Sequence, residues 1–263
     1  MIPVNEYLSR LPSNIESINL AHSNLTELPD LYRFYNLRYL FCNNNKLTTL
    51  PPFNKTLKYV NCSDNRLTSL PPFNYNLETL YCHHNELTNL PTFNHNLITI
   101  YCNQNKLTSL PPFNRFLKTL CCDFNMLTCL PVINQNMQNL YCIGNRLTYL
   151  PPLNTKMLTL RCSFNCLTNL PILPPSLSEF ACDCNDYDSI LYLLSYNDLE
   201  GNKRIIQKLF NCKHLYYSLK FKKRFRDWLW IKVREPKIRE QYSTANLLKL
   251  LEKDDLEHVL DTW

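Results

Sequence analysis

Apolar positions recur along most of this chain in a pattern that repeats every twenty residues. Cysteine stands at Cys42, Cys62, Cys82, Cys102, Cys122, Cys142, Cys162 and Cys182. Asparagine follows three places later, at Asn45, Asn65, Asn85, Asn105, Asn125, Asn145, Asn165 and Asn185. Leu-Thr pairs recur from 47–48 to 167–168, and Leu-Pro closes the units, as in Leu50-Pro51 and Leu170-Pro171. The unit reads LxxLxCxxNxLTxLPPFNxx. An earlier copy fits with two extra residues, through Ile15, Ile18, Leu20, Ser23, Leu25, Thr26, Leu28 and Pro29. Eight units thus run from residue 15 to about 176, followed by a worn ninth at Leu177, Phe180, Cys182 and Asn185.

The LxxLxC stretch suits a short strand with Leu40 and Cys42 pointing inward and Tyr39, Phe41 and Asn43 pointing out. Parallel copies stacked about 4.8 Å apart give a nine-stranded sheet roughly 40 Å long. No unit buries its apolar face alone, so neighbours share their stability. Thr and Pro after each Leu47-type position exclude a helix there and predict an extended return segment. In the asparagine column, a side-chain amide supplies both donor and acceptor to the buried backbone where the chain leaves the strand. The cysteine column reads as a core stripe of small, readily buried side chains. The expected architecture is an α+β solenoid with a parallel sheet on the concave face, an extended convex side and a helical C-terminal domain. Its boundaries fall at 1–14 for an N-terminal partial repeat, 15–185 for the array and 186–263 for the helices.

Beyond residue 186 the spacing turns helical. Residues 189–199 are apolar on most faces, Gly201-Asn202 reads as punctuation, and 203–212 forms a second helix candidate. Phe221, Phe225, Trp228, Leu229 and Val233 recur at helical spacing and read as core, with Pro236 ending or kinking their helix. Ser243 or Thr244, then Asp254 or Asp255, are candidate caps for two last short helices. The last strand of such an array is an open edge, which these helices are placed to cover.

The repeat resembles the leucine-rich repeat, LxxLxLxxNxL, with Cys in the third apolar position. Its length and LTxLPP segment are similar to the short repeats of bacterial effector proteins. The segment FKKRFRDWLWIKVREPKIREQY at 221–242, with a Leu-rich acidic tail, resembles C-terminal segments of proteins from amoeba-infecting giant DNA viruses. That resemblance implies a viral leucine-rich repeat protein.

Two glycines in 263 residues exclude any three-glycine nucleotide-binding fingerprint. A net charge of +6 is mild and speaks for solubility rather than nucleic-acid binding. The first twenty residues lack a basic segment followed by an apolar run, and no 18-residue apolar stretch exists. Thirteen cysteines without an export signal read as reduced thiols in an intracellular protein, in the host cytoplasm or the virion if the chain is viral.

Function is sought on the outward strand positions, which folding does not dictate. Tyr39, Phe41, Tyr59, Tyr81, Tyr101 and Tyr141, with His83, Asn103 and Arg161, form the candidate partner-binding set. Tyrosine combines large area, few rotors and a polar tip. The expected partner is a protein, met by a monomer, with neither membrane nor nucleic acid engaged. A second reading makes the chain an adaptor. Residues 213–239 carry ten Lys/Arg against two acids, and 252–261 carry five acids and one Lys, so the helices would dock an acidic partner or nucleic acid.

A third reading follows from the effector resemblance. Those proteins often carry a ubiquitin-ligase domain with a Cys-x-Asp motif, spelled here by Cys184-Asn185-Asp186. Asn185 already belongs to the asparagine column, and fewer than eighty residues follow, so no catalytic residue is assigned. Cys162, Cys166, Cys182 and Cys184 have spacings that suit zinc, yet two of them sit in the core column. His83 and His84 read as opposite-facing surface neighbours. No metal or cofactor is expected.

Overall fold

The computed structural model describes residues 4–186 and 199–237. Two compact units divide the chain, Met1–Gln207 and Lys208–Trp263. The first opens on a short helix α1 (Val4–Ser9), followed by strands β1 (Ser17–Asn19), β2 (Tyr39–Phe41), β3 (Tyr59–Asn61), β4 (Thr79–Tyr81) and β5 (Thr99–Tyr101). Strands β6 (Thr119–Cys121), β7 (Asn139–Tyr141), β8 (Thr159–Arg161) and β9 (Glu179–Ala181) complete a nine-stranded sheet in strict sequence order. Every pairing is parallel, and the register never slips: Tyr39 faces Tyr59, Tyr59 faces Thr79, and so on to Arg161 against Ala181.

The middle residue of each strand points inward. Leu40, Val60, Leu80, Ile100, Leu120, Leu140 and Leu160 are buried, as are all eight cysteines of the column. Leu47, Leu57, Leu67, Leu77, Leu87 and Leu97 complete the interior with almost no exposure. Each such leucine is worth roughly 1.5–3 kcal/mol relative to exposure. Four cysteine thiols also donate to the strand carbonyl one unit on, as Cys62 Sγ does to Tyr81 O at 3.4 Å.

The asparagine column ties unit to unit. Asn105 Nδ2 donates to Cys82 O at 3.0 Å, Cys102 O at 3.1 Å and Asn103 O at 3.3 Å, while its Oδ1 accepts from Leu87 N at 3.0 Å. Asn85, Asn125, Asn145 and Asn165 repeat this set. The residue before each Asn takes a left-handed backbone, with φ from 52° to 64° at Asn44, Asp64, His84, Gln104, Phe124, Gly144, Phe164 and Cys184. Asn44 belongs to a residue type that tolerates it, and Gly144 adopts it at no steric cost. A Cβ there would stand 2.6 Å from Phe124 Cδ1, so the glycine also gives the neighbouring ring its resting place.

The extended return side carries a second asparagine column. Asn74 Nδ2 donates to Asn54 O and Leu57 O, and Asn94, Asn114, Asn134 and Asn154 follow the same rule. Beside it Phe53, Phe73, Phe93 and Phe113 stack with centroids 6.3–6.5 Å apart.

One helix, α2 (Leu199–Leu229), replaces the two expected between 203 and 234, and it runs straight through Gly201 and Asn202. Glycine costs about 1 kcal/mol within a helix, which longer-range packing outweighs here. Asn202 and Ile206 are buried, and Lys203 Nζ reaches Pro175 O at 3.2 Å, so the first turns of α2 pack within the repeat unit. A widened π segment follows at Trp230–Arg234, just ahead of Pro236, whose ring cannot sit over a normal turn. Phe221, Phe225 and Trp228 are exposed rather than core residues. Helix 189–199 and the caps at 243–255 lie outside the described residues, apart from Leu199 itself. No helix among the described residues is long and apolar enough to cross a membrane.

Replacing Asn105 by Ala removes partners from buried carbonyls on two units and from the Leu87 amide. We expect a loss of about 2–4 kcal/mol, read as a lowered urea midpoint, against about 0.5 kcal/mol or less for the exposed Thr88→Ala.

Candidate functional site

Strand alternation places the first and third residues of every strand on the outward face, so rings on successive strands stand within contact distance. Tyr39 and Tyr59 lie 6.4 Å apart by ring centroid, and Phe41 and Tyr59 5.2 Å. Tyr59 continues to Tyr81 at 5.5 Å, and Tyr81 stacks on Tyr101 at 4.7 Å with the planes 4° apart. His83 meets the edge of Tyr81 at 6.4 Å. Six of the nine expected residues therefore form one continuous aromatic file over β2 to β5. Burial, with Tyr81 beside them, raises the phenol pKa of both Tyr59 and Tyr101, so the hydroxyls stay protonated donors at neutral pH. Asn103 is half-buried on the flank of this file.

Beyond Tyr101 the file stops. Cys121 takes the next place and is buried, its thiol pushed up to about 12 by burial and by Asp123. Asp123 Oδ1 accepts from Ile143 N at 2.7 Å, and burial raises the carboxyl. Tyr141 belongs to a separate group, with the Arg161 guanidinium 5.6 Å over its ring. Arg161 in turn is paired with Glu179, whose carboxyl that bond holds low. A cleft of about 550 Å³ lies there, lined by Ile143, Arg161, Phe164, Glu179, Asp183 and Leu199.

Two residues outside the expected set join the face. The His83 and His84 rings lie 5.3 Å apart and on the same side, not on opposite sides. The left-handed backbone at His84 ends the strand alternation that would have separated them. Asp64, in the same left-handed column one unit earlier, completes a group whose ligand atoms all lie within 4.8 Å of one another. Burial lowers the His83 pKa, with His84 adding to the effect and Asp64 opposing it, so the ring is neutral at pH 7. The signal that could have found the trio is the column itself, which carries no fixed residue type.

Elsewhere, the Cys184-Asn185-Asp186 motif is absorbed by the ladder. Asn185 Nδ2 donates to Cys162 O, Cys182 O and Asp183 O. Of the four cysteines with zinc-like spacing, Cys162 and Cys182 are buried in the core column, Cys166 is half-buried and Cys184 is exposed.

Residues 55–95 match the family model for leucine-rich repeats, in two copies. The strand order, ladders and repeat length accord with that match. This array is a leucine-rich repeat solenoid. Among solved structures it is similar to the leucine-rich effector protein YopM from Yersinia pestis, at 28% identity and a TM-score of 0.63, over 65% of this chain and 50% of that one. It is also similar to a Shigella effector leucine-rich repeat domain, at 29% identity and a TM-score of 0.53, over 70% and 78% of the two chains. The Drosophila Toll–Spätzle complex shares the fold at 19% identity and a TM-score of 0.51, over 72% of this chain and 35% of that one. The chain spans about half the length of the YopM chains it matches. No curated protein matches. The matched family is a repeat scaffold, and no catalytic family is indicated.

Burial pushes the Cys42 thiol up to about 12 and raises Cys62, Cys82, Cys122 and Cys162 strongly, which removes the reactive thiolate from the solenoid interior. Iodoacetamide applied to the native protein is expected to label Cys129 and Cys184 within the array, and the column cysteines only after unfolding. Peptide mass mapping reads the difference; native labelling of Cys82 or Cys102 would contradict it.

Proposed function

We propose that the protein is a non-catalytic interaction module that takes a protein partner on the aromatic file of its sheet. The observation that carries this reading is the unbroken ring contact from Tyr39 and Phe41 through Tyr59 and Tyr81 to Tyr101. Rings already held against one another lose little freedom on binding, and their hydroxyls remain free to select polar groups. The leucine-rich repeat fold, widely used to bind proteins, supports the same assignment. In this reading the chain acts as a monomer inside a reducing compartment, suited to its cysteine-lined core. Its viral origin and a host target rest on the resemblance of residues 221–242.

Tyr59, Tyr81 and Tyr101 replaced together by Ala should weaken partner capture at least about tenfold while the melting temperature moves by only a few degrees. Tyr75→Ala, exposed away from the file, should leave capture unchanged. Undiminished capture by the triple variant would overturn the reading.

A second reading, the adaptor, is favoured by the exposed aromatic and basic residues of α2. Phe225 stacks on Trp228 at 5.9 Å among Lys222, Lys223, Arg224 and Arg226, and all are solvent-exposed. Ending the chain after Gln207 keeps Asn202 and Ile206 in place, whereas ending it after Asn185 removes them. The longer truncation product should stay soluble and still capture a partner through the sheet, and the shorter should aggregate on heating. Loss of a second, salt-sensitive partner from the longer product would establish the adaptor.

A further inference from the structure

We propose that Asp64, His83 and His84 form a binding site for a divalent transition-metal cation of the zinc type. A carboxylate and two imidazoles are the donor set that such cations prefer, whereas calcium and magnesium require oxygen-rich surroundings. The three ligand atoms lie within 4.8 Å of one another before any metal binds. Around a tetrahedral zinc ion, ligands about 2.0–2.1 Å from the metal stand roughly 3.3 Å apart. Closing that gap needs at most about 1.5 Å of side-chain motion, available to the exposed His84 and the half-buried Asp64.

The backbone beneath is fixed. Asp64 N donates to His83 O at 3.0 Å, Asn65 N to His84 O at 3.2 Å, and His84 N to Asn103 O at 3.0 Å. The two strand exits are therefore held in register by the same bonds that hold the stack. His83 Nδ1 supplies an independent indication: it is buried and without a hydrogen-bond partner among the described residues. Buried ring nitrogens are ordinarily paired, and coordination at that atom would complete it.

The position along the array is also specific. The left-handed column reads Asn44, Asp64, His84, Gln104, Phe124, Gly144, Phe164 and Cys184, and the column beside it carries His at 83 alone. Strong donors from both columns meet on this pair of units. Three protein ligands leave one coordination position open to solvent, on the flank of the aromatic file where Tyr81 meets His83. Metal binding requires no partner protein, so it stands or falls separately from the proposed function.

The test uses the full chain with its accessible thiols alkylated. Zinc chloride followed by isothermal titration should bind at one equivalent, and it should shift the ring NMR resonances of His83 and His84 before those of His22 and His95. Asp64→Asn and His84→Asn both install a residue that tolerates the left-handed backbone. Each should weaken zinc binding at least about tenfold, since even indirect supporting contacts of a metal site are worth that much. The metal-free melting temperature should hardly move. Unchanged affinity in both variants, or ring shifts centred on other histidines, would overturn the proposal. If one variant fails to fold, the other and the ring shifts decide it.

Discussion

The structure depends on one side-chain amide repeated every twenty residues. Where the chain leaves a strand, the carbonyls of the buried cysteine column are met by asparagine side chains. Asn105 meets those carbonyls on its own unit and on the preceding one, and accepts from an amide of that preceding unit. A hydroxyl lacks the paired donors, and a carboxylate lacks donors altogether. Each Asn therefore fixes the distance between two units and not merely the shape of one turn. The slip-free register of nine strands is the cumulative result.

The return side repeats the device with different geometry. Asn74 and its successors donate to the preceding Asn carbonyl, while the phenylalanine stack fills the space beside them. Ile133 takes over that place where the stack ends and is itself buried, so ring stacking is one way of filling the space and not a condition of the fold. Two amide ladders on opposite edges, with leucine and cysteine between, explain how an array with so little helix on its back remains ordered.

Strands, cysteine column and asparagine column were all legible because identical chemistry recurs at a fixed interval. Other features escaped for physical reasons. The left-handed column is defined by backbone shape, and Asn, Asp, His, Gln, Phe, Gly and Cys all occupy it, so no residue type announces it. Without it, strand alternation sends His83 and His84 to opposite faces, and Asp64 has no visible connection to either. The prolines of the PPFN segment predict extended chain and nothing more, while its Asn and Phe also form ladders. In the C-terminal region Gly201-Asn202 carries a real local preference against helix, which the burial of Asn202 and Ile206 outweighs. The continuity of the aromatic file was only partly legible, because spacing gives the columns but not the tilt of each ring.

The division between inward and outward columns bears on why the aromatic file is there at all. Cysteine, smaller than the leucine of the usual pattern, packs with no more than 6% exposure and in four units lends its thiol to the next unit's carbonyl. The interior is thus complete without help from the front. Tyr59, Tyr81 and Tyr101 gain something from touching one another, of the order of 0.5–1.5 kcal/mol per pair, so ring packing alone could favour them. Yet β6 places Cys121 where the next ring would stand and β3 places Asn61, and both pair with their neighbours in unbroken register. Rings are therefore dispensable to the stack, and their concentration on β2 to β5 is a property of the surface. A surface so enriched in rigid, amphipathic side chains over one half of the sheet has the composition of a contact area, with Asp64, His83 and His84 at its edge.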